Sequence, residues 1–246
     1  MRCARRGGFS LVELLVCLGI VAVLLAILLP VLAHVRKSAR ATVCLAHLEQ
    51  WSHAYQMYFD EYKGHTLPRR EPTMLHWWEQ LAPYNSDVRG TLICPEAYEP
   101  RPGPNDPGGQ NKKKGSASHA WWLGTKSGTE WVGSYGLNWW VYANSPESLP
   151  FIRFPAREAE RVPLVGDCCE MEPDPPRNGE PLPENLQQPV PLKFSGGVAE
   201  CCVDRHRMAV NFVFLDGHAE RMPLAELWKL RWSEDFEPRD VVLPKE

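Results

Sequence analysis

A net charge of one sign is what this chain most plainly lacks. Its 27 lysines and arginines stand against 30 aspartates and glutamates, a formal charge of −3 over 246 residues, so no global basic signal speaks for nucleic acid as a partner. No internal repeat runs through the sequence, which sets repeat architectures aside. Its paired cysteines are adjacent rather than spaced C-x2-C, so they match no zinc ribbon. Long uncharged apolar stretches are scarce as well. The run from Leu14 to Ala33 is about the ~20 residues that a helix needs to cross a bilayer core. An ordinary secretory signal peptide would have a shorter apolar core and carry its small-residue cleavage site on the far side of that run. The small residues Gly7 and Gly8 come before it, behind Arg2, Arg5 and Arg6.

What is present is Arg5-Arg6-Gly7-Gly8-Phe9-Ser10-Leu11-Val12-Glu13 leading directly into the apolar run. Cleavage at the glycines would spare the membrane segment. The pattern resembles the class III leader of type IV pilins and type II secretion pseudopilins. The resemblance implies cutting between Gly8 and Phe9 by a prepilin peptidase, N-methylation of Phe9, and Glu13 as the fifth mature residue. Pro30 falls where pilin helices often carry a proline. A carboxylate at the edge of an apolar helix is costly unless it finds a partner; in the resembled family, Glu13 would find it in the methylated N-terminus of a neighbouring subunit. Positive charge on both sides of the span, including Arg36, Lys37 and Arg40, weakens the orientation rule. The resemblance supplies the orientation: leader in the cytoplasm, a single pass through the inner membrane, and the remainder in the periplasm or in a pseudopilus at the cell surface.

The helix is expected to continue past the membrane. Ala41, Cys44, Leu48, Trp51, Tyr55, Tyr58 and Tyr62 recur in steps of three and four and draw an apolar stripe. Arg40, His47, Glu49, Gln50, Asp60 and Glu61 give the wet side, and Lys63-Gly64 a stop. At ~1.5 Å per residue, Leu14 to Lys63 would span roughly 75 Å. With 23 prolines and 18 glycines, most of them beyond Lys63, the distal part reads as loops and short strands. Trp77 to Tyr84 predicts a short helix ended by Pro83. Thr91 to Pro95, Ser134 to Tyr142 and Val162 to Asp167 predict strands. Arg101 to Gly115, ending near Lys112-Lys113-Lys114, predicts an exposed loop, and Pro173 to Pro191 a second irregular insert.

Near the C-terminus, the alternation of Ala209 to Glu220 around Asp216-Gly217 predicts a hairpin with a type I′ turn. Pro223 to Leu230 predicts a short amphipathic helix. His206 stands ten positions before Asp216, and with this H-x9-D-G element the chain resembles a large bacterial group of pilin-like proteins. The resemblance also takes in Cys44-Leu45, Trp78, Leu81 and Pro83-Tyr84, Cys94-Pro95, Ser134 to Asn138, and Asp167 at a strand end. It implies location and assembly rather than a defined reaction.

Cys3 would leave with the leader and Cys17 lies in the membrane. Cys44, Cys94, Cys168, Cys169, Cys201 and Cys202 remain, and an oxidising compartment favours disulfides among them. The preferred pairing is Cys44 with Cys94, with the two doublets bridging each other; fifteen pairings are open. The alternative for the doublets is metal capture with His206 and His218. Asp167 and Asp216 are weighed as a calcium pair, lacking the six or more oxygens that calcium takes. His206, Asp216 and Asp167 suit acid–base work, but neither a nucleophile nor a pocket accompanies them, so no catalytic residue, enzyme activity or obligatory cofactor is expected. Tryptophan doublets at 77–78, 121–122 and 139–140 serve either as core or as a glycan or peptide platform.

The expectation is therefore an α+β, pilin-like fold: a long N-terminal helix packed on a small antiparallel sheet with irregular loops. Its organisation reads as leader 1–8, membrane and assembly helix 9–35, exoplasmic half-helix 36–63, globular domain 64–235 and tail 236–246. The partners are prepilin peptidase, other pilin-like subunits and the inner membrane, without nucleic acid. The competing reading is a membrane-anchored exoplasmic protein that holds polysaccharide with Trp-rich loops and never polymerises.

Overall fold

The computed structural model describes residues 11–68, 75–97, 112–125, 128–143, 155–173, 177–187 and 197–244. Gly8 and Phe9 lie outside them, as does most of the Arg101–Gly115 loop. The chain divides into two units, Met1–Ala39 and Arg40–Glu246.

Helix α1 runs over Leu11–Glu61, carries Glu13 in its first turn and includes Pro30. Among the described residues it is the one helix long and apolar enough to cross a membrane, and its apolar part is not buried within the chain. That is consistent with a single membrane anchor. Within the second unit the predicted stripe is the packed face: Cys44, Leu48, Trp51, Tyr55 and Tyr58 are buried, joined by Ser52 and Ala54. Tyr62, just beyond the helix end, is exposed and stacks on Tyr58 at 4.3 Å. Lys63 and Gly64 both take positive φ, and the Gly64 N–H reaches back to the Phe59 carbonyl at 2.8 Å. This left-handed turn satisfies carbonyls that the last helical turn leaves open.

Four strands, β4 (Tyr135–Leu137), β5 (Pro163–Asp167), β6 (Ala209–Phe214) and β7 (Ala219–Pro223), pair antiparallel in the order β4-β5-β6-β7. A second antiparallel sheet, β1-β2-β3, is made of Lys112–Lys113, Trp121–Gly124 and Glu130–Gly133. One long N-terminal helix with a small antiparallel sheet is the expected α+β arrangement. Gly166 in β5 is required by packing, because a Cβ there would sit 2.2 Å from the Phe212 ring. One core cluster gathers the helix stripe, Trp77, Trp78, Trp121 and Tyr135. The other surrounds Phe212, Trp228 and Trp232.

Several local expectations are corrected. Thr91 to Pro95 is not a strand: Asp87 accepts the Gly90 N–H and caps a short helix, α3 (Val88–Thr91), after which the chain bends. Pro83 does not end the Trp77 helix α2 (Trp77–Gln80); it sits in the first turn of a 3-10 segment, Ala82–Tyr84, where its missing N–H is no loss. Tyr135–Leu137 is a strand, but Trp139–Val141 is a 3-10 turn capped by the Asn138 side chain. The end of the expected Arg101–Gly115 loop is not all loop: Lys112 and Lys113 form β1, and Lys114 pairs with buried Glu200. The hairpin expected over Ala209 to Glu220 is present as β6 and β7, but Gly217 alone takes positive φ in its turn. Type I′ needs two such residues, so the loop is of the longer kind closed by a left-handed glycine. The segment after Pro223 is a 3-10 helix, Leu224–Lys229.

Burial also leaves a titrating carboxyl in the second insert. Glu180 is 7% exposed, and desolvation pushes its pKa from 4.5 up to about 7, against the N–H groups of Arg177 and Val198 that bond its oxygens. A folded-state pKa above the unfolded value gives a contribution present below pH 4.5 and lost as pH rises through about 7. Glu180→Gln keeps the acceptor for Val198 and removes the charge. In urea unfolding of the full chain in detergent, the variant should match the parent near pH 4.5 and exceed it above pH 7, by on the order of 3 kcal/mol at most. An equal difference at both pH values would refute this assignment.

Candidate functional site

Four segments distant in sequence converge beneath the helix stripe. Cys44 comes from α1. Cys94 follows α3, in a segment pinned to the helix by Trp51 Nε1 on the Thr91 carbonyl at 2.7 Å and by His47 Nδ1 at the Ile93 carbonyl, 3.1 Å. The Ser134 hydroxyl accepts the Cys94 N–H at 2.6 Å. Asp167 ends β5, and His206 precedes β6. Their ligand-type atoms all lie within 4.8 Å of one another, and all four residues are buried. Cys94 Sγ is 3.4 Å from His206 Nε2, His206 Nε2 is 3.1 Å from Asp167 Oδ2, and Cys44 Sγ is 3.6 Å from the same Oδ2.

Arg205 encloses the cluster from behind. Its guanidinium, also buried, donates to Asp167 Oδ1 at 2.8 Å and to the carbonyls of Ser116, Ala117 and Ser134 at 2.8 to 3.2 Å. Asp167 Oδ2 accepts the Asn211 N–H at 2.9 Å, and Asn211 Nδ2 donates to the Ala41 carbonyl of α1. The Tyr135 hydroxyl meets Cys44 Sγ at 3.2 Å. The Ser134 to Asn138 island thus becomes intelligible. Ser134 and Tyr135 hold the two cysteines, and Gly136 admits the Glu170 carbonyl where a Cβ would be 2.5 Å away. Asn138 Nδ2 bonds the carbonyls of Pro163 and Trp232.

Electrostatically the cluster is a set of compensated buried charges. Burial opposes ionisation of Asp167, but His206 and Arg205 outweigh it and hold the carboxyl well below the usual range. Burial would also neutralise His206, yet Asp167 and Cys94 raise it to about 10. Cys94 comes down to about 7: burial pushes its thiol up, and the hydrogen bond from Cys44, together with His206 and Arg205, overcomes this. Cys44 is raised by burial, by donating to Cys94 and by Asp167. Arg207 and Met208, next to His206, are non-glycine residues with φ of 59° and 55°. Such conformations cost about 1 kcal/mol or more each. Here Asp204 accepts the Met208 N–H and Arg221 holds the His206 carbonyl.

The structure redistributes the expected site residues. Asp167 and His206 meet, whereas Asp216 lies in the hairpin turn, bonded to His218, with a side chain 37% exposed. Asp167 and Asp216 therefore form no calcium pair, and the donors around Asp167 include two sulfurs. His218 pairs with Asp216 and joins neither cysteine doublet. The expected Cys44–Cys94 bridge is not formed: Cys44, Cys94, Cys168, Cys169, Cys201 and Cys202 are free, buried thiols. The doublets do lie together, with Cys201 Sγ 3.1 Å from Cys168 Sγ. Cys94 Sγ and Asp167 Oδ2 both address His206 Nε2, whereas a triad-type relay places its nucleophile and its orienting acid on opposite ring nitrogens of the histidine base. Trp77, Trp78 and Trp121 are fully buried, which takes them out of any platform. Arg205 escaped the sequence reading; its only signal is adjacency to His206.

A model of the prokaryotic N-terminal methylation motif matches residues 3–29. No curated protein and no solved structure matches the chain. The matched stretch takes in Gly8, Phe9 and Glu13, runs into α1 and supports a pilin-like protein processed by a prepilin peptidase.

Proposed function

We propose that this chain is a pseudopilin-like subunit, cut between Gly8 and Phe9, N-methylated at Phe9 and assembled through its apolar helix into a type II secretion or type IV pilus-like filament. The observation that carries the reading is the methylation motif over residues 3–29, continuous with a single 51-residue helix that has one acidic residue in its first turn. The uncharged apolar run Leu14–Ala33 within that helix is long enough to anchor the subunit before assembly. Once subunits stack, a neighbour's N-terminal amine neutralises Glu13 within the apolar bundle. The C-terminal unit is then the exoplasmic face of the subunit, in the periplasm or at the surface. It acts by presenting that face rather than by turnover.

Intact mass and N-terminal sequencing of the chain purified from its native membrane test the processing step. The expected species begins at N-methylated Phe9. A chain retaining Met1 to Gly8 would overturn the reading and favour an anchored, non-polymerising protein.

A further inference from the structure

We propose that Cys44, Cys94, Asp167 and His206 form a closed four-ligand site for one zinc-type divalent metal ion. A tetrahedron with metal–sulfur bonds of ~2.3 Å and metal–nitrogen or metal–oxygen bonds of ~2.0–2.1 Å has sulfur-to-nitrogen or sulfur-to-oxygen edges of roughly 3.6 Å and a nitrogen–oxygen edge of roughly 3.3 Å. The observed edges are 3.4 Å from Cys94 Sγ to His206 Nε2, 3.6 Å from Cys44 Sγ to Asp167 Oδ2 and 3.1 Å from His206 Nε2 to Asp167 Oδ2. Atoms that merely shared a hydrogen-bond chain would not need to face one common point. These do, since all four ligand atoms, the ends of that chain included, lie within 4.8 Å of one another.

The donors select the ion. Two sulfurs with one imidazole and one carboxylate suit zinc and disfavour calcium or magnesium, which take oxygen. Charge balances as well. Two thiolates and one carboxylate are matched by a dication and the Arg205 guanidinium, with a neutral imidazole, so the buried assembly is uncharged; buried charge is tolerated only when so paired. The supporting contacts are of the kind that orient metal ligands. Arg205 and the Asn211 N–H fix both oxygens of Asp167, Tyr135 reaches Cys44, and Ser134 fixes the backbone of Cys94. Four buried protein ligands leave no open position, which marks a structural rather than a catalytic centre. The ion would tie α1 to segments 50 to 162 residues further along the chain, and its binding energy would contribute directly to folding. This inference is independent of filament assembly. Its rival is a Cys44–Cys94 disulfide, which would consume both sulfurs.

The full chain, purified in detergent without chelator or reductant, is examined by elemental mass spectrometry and by peptide mapping after alkylation. About one zinc per chain is expected, retained in Cys202→Ser and lost in Cys94→Ser and His206→Gln. Because those two variants risk misfolding, the unmodified chain is also stripped and reloaded with cobalt(II) alone. A thiolate-to-cobalt charge-transfer band with tetrahedral visible bands is expected. A Cys44–Cys94 disulfide, a reduced chain that gives no such band, or a folded Cys94→Ser variant that keeps its zinc would each overturn the proposal.

Discussion

Arg205→Ala is expected to prevent the C-terminal unit from folding. The guanidinium is fully buried and donates to Asp167 and to the carbonyls of Ser116, Ala117 and Ser134. Removing it leaves the Asp167 charge in the interior without the guanidinium that holds its Oδ1. Breaking one side of a buried pair costs about 3–5 kcal/mol, and each carbonyl deprived of its donor adds about 1–3 kcal/mol. The total rivals the whole stability of a domain, about 5–15 kcal/mol. Arg205→Lys should rescue only part, since a single ammonium on a flexible stem cannot span acceptors arranged for a planar fork. Near-ultraviolet circular dichroism and limited proteolysis of the full chain in detergent would read both variants. An Arg205→Ala chain with the parent's protease resistance and melting profile would show that the cluster is not a folding determinant.

The second large effect is expected at Glu13. Glu13→Ala should reduce the sheared or pelleted filament fraction to background while the chain remains in the membrane at normal abundance. The apolar run that anchors it is untouched by the change. Glu13→Gln should fail equally, because an amide keeps the shape but not the charge that a neighbour's amine requires. Glu13→Asp should recover part of the assembly. The pattern separates a charge requirement from a packing one. Filaments formed normally by Glu13→Ala would sink the role of Glu13 in assembly, whereas a parent chain that forms none would leave the polysaccharide-binding alternative. For that alternative the half-buried Trp122, Trp131 and Trp139 are the tryptophans to replace.

The elements that were legible in the sequence are those whose cause is local. The stripe from Cys44 to Tyr58 follows from helical periodicity alone and is buried as expected. Val162 to Asp167 and the strands around Asp216-Gly217 follow from apolar runs punctuated by turn residues. Thr91 to Pro95 misled because an apolar run of that length fits either a strand or a helix exit. Capping by Asp87 decided between them. Lys114 misled because its counter-charge, Glu200, lies 86 residues away.

By itself, then, the sequence determined the apolar helix, its methylation motif with Glu13, the α+β character and the C-terminal hairpin, since each depends on neighbours within a few turns or one strand pair. Only the tertiary structure decided that Cys44, Cys94, Asp167 and His206 share one buried point, that Arg205 closes it, and that Asp216 stays out in its turn. Those contacts bridge separations of 112 and 123 residues. No periodicity encodes such a meeting. It follows from how α1 packs on the sheet and from the requirement that every charge buried there find a partner.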